Sequence, residues 1–412
     1  MRHVVVMVMT SYPRFPGDSV GTFMEPIAAH VAARGHEVHI VAPWHPLITR
    51  GKSENGVFFH FFKYAPVPAL NVFGYAAGMR ADVSLRGAAW LAAPLAMTAG
   101  WFTAMRVAQK RRATVMHGHW VVPGGAMAAA AAPSLPLVVS LHGSDVFVAE
   151  RVAIANRVAR QVFARAGFVT ACSADLARRA IAIGAPLERT EVVPYGVDVD
   201  RFRPDGAARA ETRAALQLAD DTTLVVAAGR LVRKKGFEYL IEALPLVGTA
   251  PPPVLAIAGA GDLDEELRAQ ARDRGVADRV RFLGNQPQDA IAKLFAAADA
   301  VVVPSVRDDS GNVDGLPNTV LEALASGTPL VTTAAGGIGA VVEHERNGLI
   351  VPERDAAALA AALRGLLREP TRGRALGVAG RAAVTARFGW GGTAARFESA
   401  YDRALAFKSR GS

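Results

Sequence analysis

Residues Val313 to Val331 read VDGLPNTVLEALASGTPLV. Two carboxylates, Asp314 and Glu322, bracket a Gly315-Leu316-Pro317 turn. Pro317 suits the first helical position, where its missing N–H costs nothing. Thr319 to Ala325 has helical character, Gly327 supplies a stop, and Thr328 to Thr333 reads as a buried strand. The order loop, short helix, loop, strand is one half-turn of an α/β protein. Asp314 falls on the loop before the helix and Glu322 inside it. Free N–H groups at a helix start attract phosphate. A carboxylate in the preceding loop can accept from hydroxyls, and a second one further along can hold another hydroxyl, such as a ribose. A nucleotide diphospho-sugar presents that combination. An ordinary βα unit with two solvated acids would read the same way over so short a window.

Working outward, strands and helices alternate through both halves. Val4 to Met9 reads as a strand, followed by a Pro- and Gly-rich loop to Gly21, a helix from about Met24 to Arg34, and a strand from Glu37 to Ala42. This is a Rossmann-like opening, and Gly21 would let a backbone approach a ligand at the helix start. Val115 to His119 and Leu137 to Leu141 are further strands. Their ends carry His117-Gly-His119-Trp120 and His142-Gly-Ser-Asp145, where an α/β sheet faces its ligand. No third ligand is spaced to complete a metal site. Phe168 to Cys172 is a short strand, and Glu191 to Asp198 leads to Arg201-Phe-Arg-Pro204. A new strand, Thr223 to Ala228, precedes Gly229-Arg-Leu-Val-Arg-Lys-Lys-Gly236, where Arg230 and Lys235 converge on one turn. Paired cations over a turn suit a diphosphate, whose charge grows as it leaves. A solvated basic turn is the plainer alternative.

Composition bounds the reading. A chain of 412 residues suggests two domains, and 51% hydrophobic residues allow large cores. The single cysteine, Cys172, argues against a disulfide framework and fits a reducing, cytoplasmic compartment. The start lacks the length and cleavage site of a signal peptide. The charge of +9 is uneven, since residues 1–200 hold 19 Lys and Arg against 12 Asp and Glu. A basic half favours an anionic partner. No Walker loop or RNA-binding aromatic motif is present, which disfavours nucleic acid. Gly87 to Met105 is uncharged for nineteen residues but carries Pro94, Gly100 and several alanines, so a core or surface helix is expected over a span. Arg106, Lys110, Arg111 and Arg112 follow it and would suit an anionic lipid surface or simply a solvated helix end.

Taken together the motifs resemble the family-4 retaining glycosyltransferases of GT-B fold. Asp314-x7-Glu322 is similar to that family's E-x7-E signature, with Asp for the first Glu. Gly229 to Gly236 carries the whole GRLxxxKG motif. GHEVHIVAP (Gly35 to Pro43), HGHW with PGG, SLHGSD and EVVPYGVD match further stretches. Departures are DSVG in the first loop, where a double glycine is usual, and Gly339-Ala340 in place of Pro-Glu. The resemblance spans nearly the whole chain. It implies an α/β, two-domain GT-B architecture, with Rossmann-like parallel-sheet domains facing a cleft. The domains would be 1–204 and 205–390, with a terminal helix over about 391–412 returning to the first.

It further implies retaining hexosyl transfer from a nucleotide diphospho-sugar to a hydroxyl of a glycan, lipid-linked or small-molecule acceptor, with no cofactor or essential metal. His142 would meet the donor sugar, and Asp314 would hold its hydroxyls. Gly21, Arg230, Lys235, Gly315, Leu316, Pro317 and Asn318 would line the donor, with Glu322 on the ribose. His119 and Asp145 would lie on the acceptor side. The protein would be cytoplasmic or peripheral at the inner face of the membrane. A sugar-nucleotide epimerase of the same fold and a non-catalytic carbohydrate- or nucleotide-binding protein are the competing readings.

Overall fold

The computed structural model describes residues 2–18, 20–71, 73–75, 79–80, 84–85 and 88–410. Two compact units emerge: Met1–Tyr195 with Trp390–Ser412, and Gly196–Gly389.

Each unit is built on a sheet of short β-branched runs. Val4–Val8 reads VVVMV and Ala300–Val303 reads AVVV. Strands of this kind are apolar on both faces and need helices on both faces, which is the environment of a parallel sheet. In the first unit the eight-stranded sheet has the order Thr190–Val192, Phe168–Ala171, Leu137–Leu141, Val115–His119, Val4–Val8, Glu37–Pro43, Val57–Phe62 and Ser53–Glu54, and Met79–Arg80 pairs with Ser84–Leu85 apart from it. Only Ser53–Glu54 runs antiparallel among the pairings of the eight-stranded sheet. In the second unit the order is Val280–Gly284, Val254–Ala258, Leu224–Ala228, Ala300–Val303, Leu330–Thr333 and Leu349–Val351, all parallel.

Both orders reverse direction beside the first strand of the unit. In an open α/β sheet that switch point, at the carboxyl ends of the strands, is where ligands bind. In the second unit the switch lies between Leu224–Ala228 and Ala300–Val303. The Gly229 to Gly236 loop and the loop that carries Asp314 follow these two strands. In the first unit it lies between Val4–Val8 and Val115–His119, which lead to the Gly21 loop and to Trp120.

The segment that leaves the first unit is claimed earlier than the expected boundary at 204. Val197 N–H donates to Phe388 O at 2.8 Å and pairs with Gly389. Arg381 reaches Phe202 O at 2.8 Å and Val199 O at 3.1 Å. These bonds tie residues 197–202 to the second unit. The terminal helix, expected over about 391–412, is Trp390–Arg410, and Phe388 just before it stays with the second unit. Ala394, Phe397, Ala400, Tyr401 and Ala404 are buried at helical spacing and form its packed face. The apolar stretch after Gly87 is part of one helix, Ala88–Arg111, with Pro94 inside it. Among the described residues no helix is long and apolar enough to cross a membrane.

The second unit's core joins Leu240, Ile241 and Phe237 to Leu255, Ile257, Leu359 and Leu363. Truncating one such side chain costs about 2–5 kcal/mol, because the cavity left behind relaxes only partly.

Candidate active site

The centre of the second unit is the helix Asn318–Ala325. Pro317 is its cap, with φ −64° and ψ 124°, so the first helical residue is Asn318 and not Pro317 as the sequence suggested. Extended backbone at this residue follows from its place between the turn and the helix. Proline has no side-chain acceptor, and no side chain caps this start. The first N–H groups are therefore left for water or a ligand to satisfy. Asn318 Oδ1, Thr319 Oγ1, Asn312 Oδ1 and Ser305 Oγ are buried oxygens without a hydrogen-bond partner among the described residues. Such a cluster of orphans in one loop and helix start needs an explanation, and a polar ligand supplies one. Gly315 and Leu316 form the turn, and Leu316 is buried.

Asp314 sits between two ammonium groups. Lys235 Nζ lies 2.6 Å from Oδ2 and Lys234 Nζ lies 3.1 Å from Oδ1. The three side chains are 11–15% exposed. Burial alone would raise this carboxyl, but Lys235 and Lys234 overcome it and hold Asp314 well below the ordinary carboxylate range. The resemblance separated Lys235, on the diphosphate, from Asp314, on the sugar. The structure joins them and adds Lys234, which the sequence reading passed over. The adjacent Lys234-Lys235 pair was its available signal. Arg230 belongs to the same group: burial lowers its guanidinium, offset by Asp262 and Asp314. It stays a cation, as arginine does in proteins.

The two loops are locked by backbone. Val306 N–H donates to Lys234 O at 2.9 Å. Gly236 has φ +67°, and a Cβ there would collide with the Pro304 carbonyl. Gly336 has φ +61° and abuts the Asp314 carbonyl in the same way, so the Gly336-Gly337 turn rests on the acid's backbone. The Gly339 and Ala340 positions beyond it are exposed.

Glu322 is one helical turn further in and 7% exposed. Burial pushes its carboxyl up to about 7, against a hydrogen bond from Gln288 and the charges of Lys235 and Arg201. Near neutral pH it is poised to exchange a proton.

The first unit presents histidines instead. His117 and His119 end the strand Val115–His119, and His142 follows Leu137–Leu141. His142 Nδ1 lies 2.7 Å from Tyr195 Oη, and its Nε2 lies 3.1 Å from His119 Nδ1. His117 Nδ1 lies 3.0 Å from Tyr401 Oη and its Nε2 2.7 Å from Ser140 Oγ. Burial pulls His117 and His142 down to about 3 and holds His119 well below its usual value, so all three rings are neutral. Phe23, Trp120 and Tyr195 pack on His142, with ring centroids 5.0, 4.7 and 5.9 Å away. Trp120 holds φ +63°, rare for a bulky residue, and its N–H is tied to Ser140 O at 2.9 Å. Sequence reasoning missed Phe23, a lone aromatic just after the Gly21 loop, and Tyr195, which sits inside the EVVPYGVD stretch.

Asp145 braces this loop. It accepts from Val121 N at 2.9 Å, Gly143 N at 3.0 Å and His142 N at 3.2 Å. Burial raises its carboxyl, and those N–H groups oppose the rise. Its oxygens are thus spent on shaping the loop that carries His142. Gly21 lies in the loop after Val4–Val8 with φ +66°, and its carbonyl accepts from Met24 N at 2.9 Å. Among the described residues no group of three or more His, Cys, Asp or Glu is placed to hold a metal ion.

Residues 208–383 match the family Glycosyl transferases group 1, and residues 20–201 match Glycosyltransferase Family 4. The glycogen synthase of Mycobacterium tuberculosis is 30% identical over 400 residues, covering 94% of this chain and 91% of that protein. The chain belongs to the group 1 glycosyl transferases. It is a glycosyltransferase. The GDP-mannose-dependent alpha-(1-6)-phosphatidylinositol monomannoside mannosyltransferase of the same organism is 37% identical over 262 residues, 63% of this chain and 68% of the relative. Among solved structures, sucrose-phosphate synthase of Thermosynechococcus elongatus superposes with a TM-score of 0.79 at 21% identity, covering 98% of this chain and all of that one. Anabaena HepE in complex with UDP-glucose gives 0.75 at 22% identity, covering 97% and 99%. These superpositions establish the GT-B fold of this group 1 glycosyl transferase.

Proposed function

We propose that this chain transfers a hexose from a nucleotide diphospho-sugar to an acceptor hydroxyl with retention of anomeric configuration. One observation carries the reading: Arg230, Lys234 and Lys235 gather with Asp314 beside an uncapped helix start at the switch point of the second unit. Three cations against a diphosphate and one carboxylate make a balanced group. As the bond from C1 to the diphosphate breaks, the leaving phosphate gains charge, and cations already in place stabilise it. The acceptor oxygen forms the new bond to C1, and its proton passes to the leaving phosphate. On this reading these cations would supply the charge that a metal ion could otherwise bring. Asp314 would exchange its lysine partners for sugar hydroxyls as the diphosphate takes up the lysines. Glu322 would hold the ribose. His142 and His119 would orient the sugar and acceptor as neutral groups, on a loop shaped by Asp145.

The name of the mannosyltransferase relative favours GDP-mannose and a lipid-linked acceptor, and that of the HepE complex makes UDP-glucose the comparison donor. The first unit supports a membrane-borne acceptor. Leu95 and Phe102 are exposed on the helix Ala88–Arg111, 60% and 46% respectively. They line a groove of about 550 Å³ with Lys63, Tyr64, Pro66 and Thr98. Arg106, Lys110, Arg111 and Arg112 are exposed further along. Apolar side chains beside basic ones match an anionic bilayer surface. The deciding experiment measures donor turnover with GDP-mannose and UDP-glucose, against soluble and lipid-linked acceptors, and reads the anomer of the product by NMR. Retained configuration with either donor supports the reading. Inverted product, or ligand binding without transfer under every combination, overturns it.

A further inference from the structure

The first unit holds two parallel histidine–tyrosine chains, and they differ at one end. His117 is satisfied on both nitrogens by Tyr401 and Ser140, and Ser140 continues to Thr170 Oγ1 at 2.7 Å. That chain closes within the protein. In the other, Tyr195 Oη meets His142 Nδ1 at 2.7 Å and His142 Nε2 meets His119 Nδ1 at 3.1 Å. It then stops at His119 Nε2, a buried nitrogen with no hydrogen-bond partner among the described residues. His119 itself is fully buried.

A neutral imidazole has one N–H and one bare nitrogen. Two neutral rings in series therefore allow two orders. Either each proton points away from Tyr195, or each points toward it. Among the described residues no group at His119 Nε2 selects between them, whereas the Tyr195 hydroxyl, 2.7 Å from His142 Nδ1, can. A phenol hydroxyl is a good donor, and a neutral imidazole nitrogen is a good acceptor for it. The phenol is held for this task. Phe23 stacks on Tyr195 with centroids 4.7 Å apart and planes 26° apart, and the Tyr195 and His142 rings are 13° from coplanar.

We propose that Tyr195 is a positioning residue for His142: its O–H donates to Nδ1, His142 carries its proton on Nε2 and donates to His119 Nδ1, and His119 offers Nε2–H to a substrate oxygen or an ordered water. Tyr195 thus sets, through two rings, the sense of the hydrogen bond at the far end. The ligand for that end is a hydroxyl or carbonyl oxygen, which rests on the glycosyl-transfer reading; the order of the protons does not.

Long-range ¹H–¹⁵N NMR of the full-length protein labelled on histidine tests the order directly, with His119→Gln and His142→Gln giving the assignments. The native protein is expected to show His142 in one tautomer, with Nδ1 bare and Nε2 protonated. Tyr195→Phe, which keeps the stack on Phe23, is expected to give a mixture of tautomers. It should also lower kcat about three- to tenfold, the worth of one hydrogen bond, at unchanged nucleoside diphosphate Kd. A native proton on Nδ1 overturns the proposal without any variant. Ring nitrogens unchanged in Tyr195→Phe overturn it too. If the tautomer behaves as expected but no donor is turned over by the native protein, the glycosyl-transfer reading fails and the positioning role stands.

Discussion

The two units place their functional side chains at equivalent points of equivalent sheets, yet one uses neutral groups and the other uses ions. In the first unit His117 and His119 are wholly buried at the end of Val115–His119. Charge there would cost more than any partner returns, so burial depresses the rings and hydrogen bonds order them. In the second unit Asp314 and its two lysines keep 11–15% exposure and pair as ions. The lesson is a division of labour. Neutral rings can orient a sugar or acceptor without competing for its charge. Ions would stand where charge moves in the proposed transfer.

The comparison breaks most easily at the cations. Lys235→Ala and Arg230→Ala should each lower kcat/KM for donor about 10²- to 10³-fold, since each removes a contact to a developing anion. Lys234→Ala should cost less, because Lys235 lies closer to Asp314. Steady-state kinetics at limiting donor checks this. A Lys235→Ala enzyme with native turnover would remove the diphosphate assignment altogether.

Asp314→Asn sharpens the contrast within the second unit. It should spoil transfer by roughly tenfold or more, as expected for a charge-assisted contact. Nucleoside diphosphate affinity should hold or improve, because the two lysines lose their competitor. Calorimetry on Asp314→Asn and Glu322→Gln separates the roles. Equal loss of diphosphate binding in both would refute the division between sugar and ribose.

How much of this was legible in the sequence follows from what sets each feature. Sheets and helices were legible because VVVMV and AVVV runs and Gly-punctuated helices report local periodicity. The strand Val57–Phe62 was not, since VFFHFF lacks both alternation and a clear stop. Arg230 with Lys235, and separately Glu322, could be singled out as candidates because each set lies in a continuous motif. The salt bridges from Asp314 to Lys234 and Lys235 could not, because partners about 80 residues apart meet only through the parallel pairing of Leu224–Ala228 with Ala300–Val303. Tyr195 was hidden for the same reason: nothing local in EVVPYGVD says that its hydroxyl reaches His142, 53 residues away. Asp145 looked chemical from its type, and its role as a brace appears only once the N–H groups around it are known.

Glu322 gives the next test, a pH dependence opposite to that of the histidines. Its folded value near 7 lies above the ordinary glutamate range, so the folded state holds the proton more tightly than the unfolded chain. That contribution to stability is full at low pH and is lost as pH rises through about 7. Glu322→Gln should therefore raise Tm at pH 8 and leave it unchanged below about pH 4, where the unfolded glutamate is protonated as well. If the carboxylate accepts from the ribose, nucleotide affinity of the native protein should fall about tenfold per unit below pH 7, as one-proton linkage requires. Titration calorimetry between pH 5.5 and 8.5 reads both proton uptake and Kd. The histidines, neutral over this window, contribute no slope, and a pH-independent Kd would argue against a ribose contact.

The smallest effect concerns the surface of the first unit, whose outside is as charged as its histidine cluster is neutral. Phe102 and Leu95 stand exposed near a basic run in which the Arg106 guanidinium lies over the Phe102 ring at 5.4 Å. Each basic group close to an anionic bilayer contributes about 1 kcal/mol, and salt screens it. Four such residues give weak and reversible attachment, with the apolar side chains adding shallow contact and no insertion. Flotation with anionic vesicles should therefore capture the native chain at low salt and release it at high salt, while neutral vesicles leave it in solution. Changing Lys110, Arg111 and Arg112 to Ser should lower capture severalfold with donor turnover on a soluble acceptor unchanged, since these residues lie outside both functional clusters. Changing Leu95 and Phe102 to Ser should weaken what binding survives at high salt. A native protein that ignores anionic vesicles even at low salt would leave the basic run as a solvated helix end and shift the acceptor to a soluble molecule.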